Sequence, residues 1–171
     1  MKRILALVLA LVMLLLTGCS GSGKTNKTLE GSMEELVGKI LEIQPVEFMA
    51  GMIPVDLSDA SEDGLWAINY NTGLEDGKNL TDIAVFEPTM GSQAFSLVLV
   101  RVSGNAKKVA QKMSDGIDTR KWICVEANDK LVAGYADVVM LIMVDSQLGL
   151  KAQSFVDAFS EVCGGKPDFI I

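Results

Sequence analysis

Oxygen-bearing side chains recur at alternate positions of one acidic segment, which reads DLSDASED at residues 56–63. The spacing is that of a calcium-binding loop, in which positions 1, 3 and 5 supply oxygen ligands and position 6 is a glycine. These positions are held here by Asp59, Ser61, Asp63 and Gly64. Position 12, where a bidentate glutamate belongs, is Tyr70. We therefore expect a solvated acidic turn that caps a helix, with calcium binding at Asp59, Ser61 and Asp63 as the alternative.

The sequence contains no histidine, and this absence excludes several kinds of active site. Ser-His-Asp and Cys-His catalysis, histidine-ligated zinc and histidine-based pH switching all require an imidazole. Carboxylate pairs such as Glu75 and Asp76 could act as general acid and base, but we expect adjacent carboxylates in a glycine-flanked loop to be solvated. The sequence therefore assigns no catalytic residue and no cofactor other than the lipid inferred below.

A methionine-rich segment, FMAGMIP at residues 48–54, is the candidate binding surface. Flexible segments rich in methionine can form adaptable apolar surfaces for ligands or partners. Packing against the core is the favoured interpretation, and a ligand groove is the alternative. The groove would be formed by Phe48, Met49, Met52 and Ile53. We expect the two tryptophans, Trp66 and Trp122, to lie in the core or in a pocket wall.

Hydrophobic spacing predicts the helices that position these residues. A capping box at Ser32–Glu35 precedes apolar residues at helical intervals up to Leu41. Further helices are expected near residues 61–69 and at residues 105–114. A last helix, capped by Asp145 and Ser146, is expected to end before Gly164.

Alternating and continuous apolar runs predict four strands. Thr81–Glu87 and Ala94–Val102 form a hairpin, Trp122–Ala127 is a third strand before a turn at residues 128–129, and Val138–Val144 is a central strand. The fold class is α+β, with a four-stranded, mainly antiparallel sheet and helices packed chiefly on one face. Residues 32–171 are expected to form this single domain.

The amino terminus has the pattern of an export signal. Lys2 and Arg3 supply positive charge, and residues 4–16 are thirteen consecutive apolar residues. A membrane-spanning helix needs about 20 apolar residues, so this run is too short to remain as an anchor. We expect residues 1–18 to be a cleaved signal peptide.

The residues at the end of this run, Leu16-Thr17-Gly18-Cys19, resemble the lipobox of bacterial lipoproteins at all four positions. The resemblance implies that the Cys19 thiol receives a diacylglycerol and that cleavage precedes this residue. Two acyl chains are enough for stable anchoring. Residues 19–31, poor in apolar side chains, are expected to be a flexible tether. The predicted location is the extracytoplasmic face of the cell membrane.

Charge and the remaining cysteines restrict the partners. The net charge is −7, and loss of Lys2 and Arg3 with the signal peptide makes it −9. Such an acidic chain is a poor nucleic-acid binder, and the lipid must supply membrane affinity. Cys124 and Cys163 could form a disulfide outside the cell, but two buried thiols are the favoured interpretation.

The layout of lipobox, tether and capped helix continues with DIAVF at residues 82–86, Gly134-Tyr135 and VVMLI at residues 138–142. This arrangement is similar to the Gram-positive lipoproteins grouped as domain of unknown function 4358, over most of residues 32–163. That family brings no assigned activity.

The sequence as a whole favours a lipid-anchored binding or scaffold module of the cell envelope without catalytic activity. Its partners would be the membrane, through the lipid, and an envelope protein or a small ligand. Two alternatives stay open: a histidine-free hydrolase of the envelope that uses carboxylates, and an accessory subunit of a transporter or envelope complex.

Overall fold

A computed structural model describes residues 28–171. The predicted signal peptide and Cys19 lie outside the described residues. Within this range the chain forms one antiparallel sheet of six strands in the order β1-β2-β3-β5-β4-β6. The strands are β1 (Ala50–Ile53), β2 (Leu80–Pro88), β3 (Phe95–Val102), β4 (Asp129–Tyr135), β5 (Val138–Val144) and β6 (Phe169–Ile170).

Four α-helices are interspersed among these strands along the described chain. They are α1 (Met33–Ile43), α2 (Glu62–Thr72), α3 (Ala106–Gly116) and α4 (Ala152–Val162), together with a 3-10 helix at Ser146–Leu148. The predicted capping box is confirmed: Ser32 Oγ accepts from the Glu35 N–H, and the Glu35 carboxylate accepts from the Ser32 N–H. Among residues 28–171, no helix combines the length and apolarity needed to cross a bilayer.

Helices cover both faces of the sheet, so the prediction that they pack chiefly on one face is wrong. Helices α1 and α4 pack on the face that contains Leu97 and Leu99 of β3. Helices α2 and α3 cover the face that contains Val98 and Val100. The physical reason lies in the central strands β3 and β5, which are apolar on both sides. Each apolar face must be covered to be removed from water.

The sheet also has more strands than predicted. The α+β class and the strands at β2, β3 and β5 are confirmed, but the strand expected at Trp122–Ala127 is irregular chain. The third long partner is β4, which starts where a turn was predicted and pairs with β5 along its whole length. Strands β1 and β6 have only four and two residues, too few for alternation to reveal them.

Gly134 of β4 is needed because the Phe169 ring of the neighbouring strand β6 lies against it. A Cβ atom at this position would lie 2.0 Å from the Phe169 ring. Strand β6 pairs with β4 there, and Asp168 fixes its approach by accepting a hydrogen bond from the Ala136 N–H at 2.8 Å. The Gly-Tyr element of the sequence therefore marks the place where the end of the chain packs on the sheet.

The last helix begins later than expected. Asp145 does cap a helix, but it is the short 3-10 helix, through a bond from the Gln147 N–H. Helix α4 begins at Ala152, whose N–H donates to the Asp129 carboxylate of β4 at 2.8 Å. A capping acceptor from another strand takes the place of a local one.

The amino-terminal arm, residues 29–31, is attached to one end of the sheet. The Leu29 N–H donates to Asp137 Oδ1 at 2.9 Å, and an Arg101 guanidinium nitrogen donates to the Gly31 carbonyl at 2.6 Å. Arg101 and Asp137 also form an ion pair at 2.6 Å with both side chains mostly buried. The arm thus enters the domain at the carboxyl end of β3, beside the turn between β4 and β5.

Candidate functional site

A stacked pair of aromatic rings on α2, one exposed and one half-buried, is the most distinctive surface feature of the domain. Trp66 stacks on Tyr70 with 4.8 Å between ring centroids and 26° between ring planes. Trp66 is 63% exposed to solvent. Residues at positions i and i+4 of a helix are neighbours on its surface, which explains how the sequence places one ring against the other.

The start of α2 is fixed by the acidic segment. Ser61 is the N-cap, and its hydroxyl accepts from the Gly64 N–H. Asp59 accepts from the Ser61 N–H and lies so close to Gly64 that a Cβ there would approach Asp59 to 2.4 Å. Asp56 accepts hydrogen bonds from Ser58, and Asp59 accepts from Ser61. These bonds lower the pKa values of the two carboxyl groups. The segment thus fixes where α2 begins, and thereby where the aromatic pair lies.

The chain from Ile117 to Ala127, here called the cleft loop, lies opposite α2, and a surface cleft separates the two. One of its contacts with α2 is a hydrogen bond from the Tyr70 hydroxyl to the Lys121 carbonyl at 3.0 Å. Burial, followed by the negative charges of Glu87 and Asp118, raises the pKa of the Tyr70 phenol. The phenol therefore stays protonated and keeps its donor role well into the alkaline range.

Lys121 turns inward from the cleft loop and ends in a buried ion pair. Its ammonium nitrogen lies 2.5 Å from Glu87 Oε1, and the two side chains are 2% and 10% exposed. The same nitrogen lies 3.3 Å from the Tyr70 carbonyl and 3.5 Å from the hydroxyl of buried Ser96. Burial lowers the pKa of the Lys121 ammonium, and the Glu87 carboxylate opposes this shift.

Aromatic rings complete the surroundings of this ammonium group. The Lys121 nitrogen lies 4.7 Å from the centroid of the Tyr70 ring and 5.3 Å from that of Trp122, within range of cation–π attraction. Tyr70 therefore contacts a buried cation and the exposed Trp66 with the same ring. The buried pair positions the aromatic surface and is not itself accessible to a ligand.

Between α2 and the cleft loop lies a cleft of about 350 Å³, the aromatic cleft. This size falls within the roughly 300–1,000 Å³ of small-molecule sites. Its lining combines the aromatic pair with polar groups: Trp66, Asn69, Tyr70, Gly116, Asp118, Arg120 and Lys121. Within residues 28–171, the Arg120 side chain makes only a long contact of 3.8 Å with Glu126, and both side chains are mostly exposed. Its guanidinium is therefore available to a ligand.

Gly116 allows α2 and the end of α3 to approach closely at the base of this cleft. A Cβ on Gly116 would lie 2.1 Å from the Gly73 carbonyl oxygen, and one on Gly73 would lie 2.3 Å from the Ile117 nitrogen. Gly73 also has a φ of +73°, which favours glycine. The two glycines set the separation of the helix ends, and hence the width of the cleft.

A second cleft, of about 360 Å³, lies on the other side of Gly116 and is acidic. Glu75, Asp76 and Asp115 line it together with Lys112. Asp76 makes an ion pair with Lys78 at 2.7 Å, and this hydrogen bond lowers the pKa of Asp76. A general acid needs a raised pKa, so Asp76 is not suited to that role.

The four residues of the predicted groove do not form one surface. Phe48 packs edge-on against Phe95 of the core at 5.3 Å and lines a cleft beside Leu148–Leu150. Met49 is 78% exposed, whereas Met52 and Ile53 of β1 line a separate cleft beside Glu34. Phe48 and Met49 precede edge strand β1, and only Met52 and Ile53 belong to it.

The predicted calcium candidate residues are occupied in local structure. Asp59 and Ser61 serve the N-terminus of α2 as described, and Asp63 lies in its first turn. Among residues 28–171, no three carboxylate, cysteine or histidine side chains come together to form a cation site.

The two cysteines of the described domain differ in environment. Cys124 is an exposed free thiol in the cleft loop with a φ of +64°, whereas Cys163 is buried at the end of α4. The expectation of two buried thiols is therefore wrong for Cys124. The cause is that Trp122–Ala127 does not form the expected strand. The loop turns inward at Lys121, and Cys124 remains on the surface.

Sequence reasoning placed Trp66 in a core or pocket wall but missed its partners. The spacing of Trp66 and Tyr70 was a usable signal, because aromatic residues four apart on a helix are adjacent. Lys121 gave no such signal. A lysine in an irregular segment is ordinarily solvated, and only the tertiary structure brings it to Glu87.

Comparisons of the chain with protein-family models, with curated proteins and with solved structures each found no match.

Proposed function

We propose that the chain is a lipid-anchored, non-catalytic module that binds a component of the cell envelope in the aromatic cleft. The observation that carries this proposal is the exposure of Trp66 in a fixed position. An exposed tryptophan is unfavourable in water, and such rings are enriched at binding sites because they offer a large, rigid contact area.

The surroundings of Trp66 support this role. Stacking on Tyr70 holds the ring in place, and Tyr70 is itself held by the Lys121 carbonyl and ammonium groups. A surface held in its bound geometry loses little conformational freedom when a ligand arrives. The cleft is thus organised before binding.

Anchoring by a diacylglycerol on Cys19 and display on the extracytoplasmic face belong to the same proposal. Its sequence support is the short apolar run followed by the lipobox-like Leu16–Cys19. The likeness to domain of unknown function 4358 is consistent with it. Of the alternatives, a carboxylate hydrolase could use the acidic cleft, although the lowered pKa of Asp76 does not suit this residue to the role of general acid.

A photo-crosslinking experiment in intact cells tests the binding role. A benzophenone amino acid replaces Asn69, which lines the aromatic cleft, or Lys39, an exposed residue of α1 on the opposite face of the sheet. We expect an adduct from position 69 that disappears with Trp66→Ala, and none from position 39. Equal adducts from both positions, or none from position 69, would contradict the proposal.

A further inference from the structure

We infer that the ligand of the aromatic cleft is a neutral carbohydrate chain, which stacks a pyranose ring on Trp66 and places its hydroxyl groups against Asn69, Asp118 and Arg120. This inference rests on the binding role proposed above and specifies its ligand. It follows from the shape, the charge and the polar groups of the cleft.

The aromatic and polar groups of the cleft match the two kinds of surface that a sugar ring offers. A pyranose has an apolar face of C–H groups and an edge of hydroxyl groups that both donate and accept. Trp66 offers an exposed indole for the first. For the second, Arg120 provides donors, Asp118 provides acceptors, and the Asn69 amide provides both.

Several of these polar atoms are not used by the protein itself. Asn69 donates through its amide nitrogen to the Leu74 carbonyl, which leaves its oxygen without a partner in residues 28–171. One Asp118 oxygen accepts from the Arg120 N–H, and the other has no protein donor within the same range. The terminal nitrogens of Arg120 are likewise uncommitted there. A ligand rich in hydroxyl groups can satisfy all three.

The charges of the cleft favour a neutral ligand. The Lys121 ammonium is neutralised by Glu87, and the other two charged residues of the lining, Arg120 and Asp118, have opposite signs. No excess of either sign faces the ligand, although the whole chain has a net charge of −7.

The cleft is also unsuited to a peptide that binds by adding a strand to the sheet. Peptide recognition by strand addition needs a free sheet edge, where main-chain hydrogen bonds supply the affinity. The lining residues of the aromatic cleft come from α2, the last residue of α3 and the cleft loop, and none comes from an edge strand. Binding there must use side chains, as stacking and hydroxyl recognition do.

Titration with neutral oligosaccharides tests the inference. The mature chain carrying Cys19→Ser is titrated with tetrasaccharides of β-1,4-linked N-acetylglucosamine, β-1,4-linked glucose and α-1,4-linked glucose. Trp122→Phe in the same chain leaves Trp66 as its single tryptophan, so that the fluorescence reports on the cleft. We expect at least one of the three sugars to give a saturable change.

The matched pair of variants is Trp66→Ala and Leu65→Ala. Their binding is measured by calorimetry, because the first variant lacks the fluorophore. Both residues are exposed on α2, but only Trp66 lines the cleft. We expect Trp66→Ala to weaken binding by about tenfold through the lost stacking contact, and Leu65→Ala to leave it within about twofold. Because the ligand is neutral, the affinity should not change between low and high salt.

Failure of the inference can be distinguished from failure of the proposed function. If none of the three sugars binds, or if Trp66→Ala binds as wild type does, the carbohydrate assignment is overturned. A position-69 adduct on a protein would then leave the binding role standing with another ligand. Absence of both sugar binding and any position-69 adduct would overturn both. Unchanged circular dichroism of Trp66→Ala is required for each comparison.

Discussion

The ammonium group of Lys121 lies 2.5 Å from the Glu87 carboxylate, and both side chains are almost completely buried. The pair joins the cleft loop to β2 beneath the aromatic cleft. Removing one partner of a buried ion pair leaves an uncompensated charge, whereas replacing both with apolar residues is often neutral or stabilising. The ion pair is therefore expected to fix the position of the cleft loop on β2 more than to add net stability.

Glu87→Gln is expected to lower the free energy of unfolding by about 3–5 kcal/mol, because it leaves the Lys121 ammonium buried without its carboxylate. The double variant Glu87→Leu with Lys121→Met should recover most of this loss. Urea unfolding measures both. Lys78→Met, which removes an exposed ion pair, is the control and should be close to wild type. A double variant no more stable than Glu87→Gln would contradict this account.

Tyr70→Phe tests the link between α2 and the cleft loop. Near neutral pH we expect a loss of about 1 kcal/mol, the usual net contribution of a hydrogen bond. The folded-state pKa of Tyr70 is raised above 10.0, so the folded state holds this proton more tightly than the unfolded state does. The stability that it contributes is present below pH 10.0 and is lost as the pH rises through the folded pKa.

The difference in unfolding free energy between wild type and Tyr70→Phe should therefore shrink above pH 10. Denaturant unfolding of both chains at neutral and alkaline pH measures it. A difference that grows with pH in that range would show that the sign assigned to the shift is wrong.

Gly116→Ala should destabilise the domain and distort the aromatic cleft. The added methyl group would meet the Gly73 carbonyl at 2.1 Å, and overpacking of this kind typically costs about 1–3 kcal/mol. The matched control is Gly38→Ala in α1, where nothing lies within 4 Å of the new atom. That change should stabilise the protein by roughly 0.5–1 kcal/mol. Thermal unfolding would refute the contact if both variants shifted in the same direction.

Gly134→Ala should detach the carboxyl-terminal strand, since the new methyl group and the Phe169 ring cannot both be accommodated. In a Phe169→Ala background the same change should have a much smaller effect. A double-mutant cycle on the free energy of unfolding gives the coupling, which we expect to exceed about 1 kcal/mol. Additive effects would mean that the ring does not restrict this position.

Cys19→Ser tests the lipid anchor. In a Gram-positive host the variant should leave the membrane fraction, because the thirteen apolar residues that precede the site are too few to span the bilayer. Labelling with radioactive palmitate should mark wild type and not the variant. Cys124→Ser is the control, since its thiol lies in the folded domain, and it should be labelled as wild type is. Equal labelling of wild type and Cys19→Ser would contradict the assignment.

The parts of the fold that could be predicted are those with a strong local signal. Helix α1 has a capping box, and β3 and β5 are unbroken apolar runs. Where the signal depended on distant contacts, prediction failed. The segment at Trp122–Ala127 has the composition of a strand, but it is irregular chain that follows the buried pair of Lys121 and Glu87.

The site was harder to predict than the fold for the same reason. Phe48 and Met52 share one short segment, yet they line different clefts, because Phe48 packs against Phe95 before the strand begins and Met52 lies in edge strand β1. Conversely, Trp66 and Arg120 are 54 positions apart in the sequence and line one cleft. Only the closeness of Trp66 to Tyr70 could be read locally.

Strand β3 acts as a spacer between the two ends of the domain. The ion pair of Arg101 that receives the amino-terminal arm lies at one end of this strand, and Ser96 beside Lys121 lies at the other. Five residues of strand separate them by about 17 Å. A lipid on Cys19 would therefore be connected to the domain at the Arg101 end of β3. The aromatic cleft lies toward the other end of β3, so a lipid tether attached at the arm would not cover it.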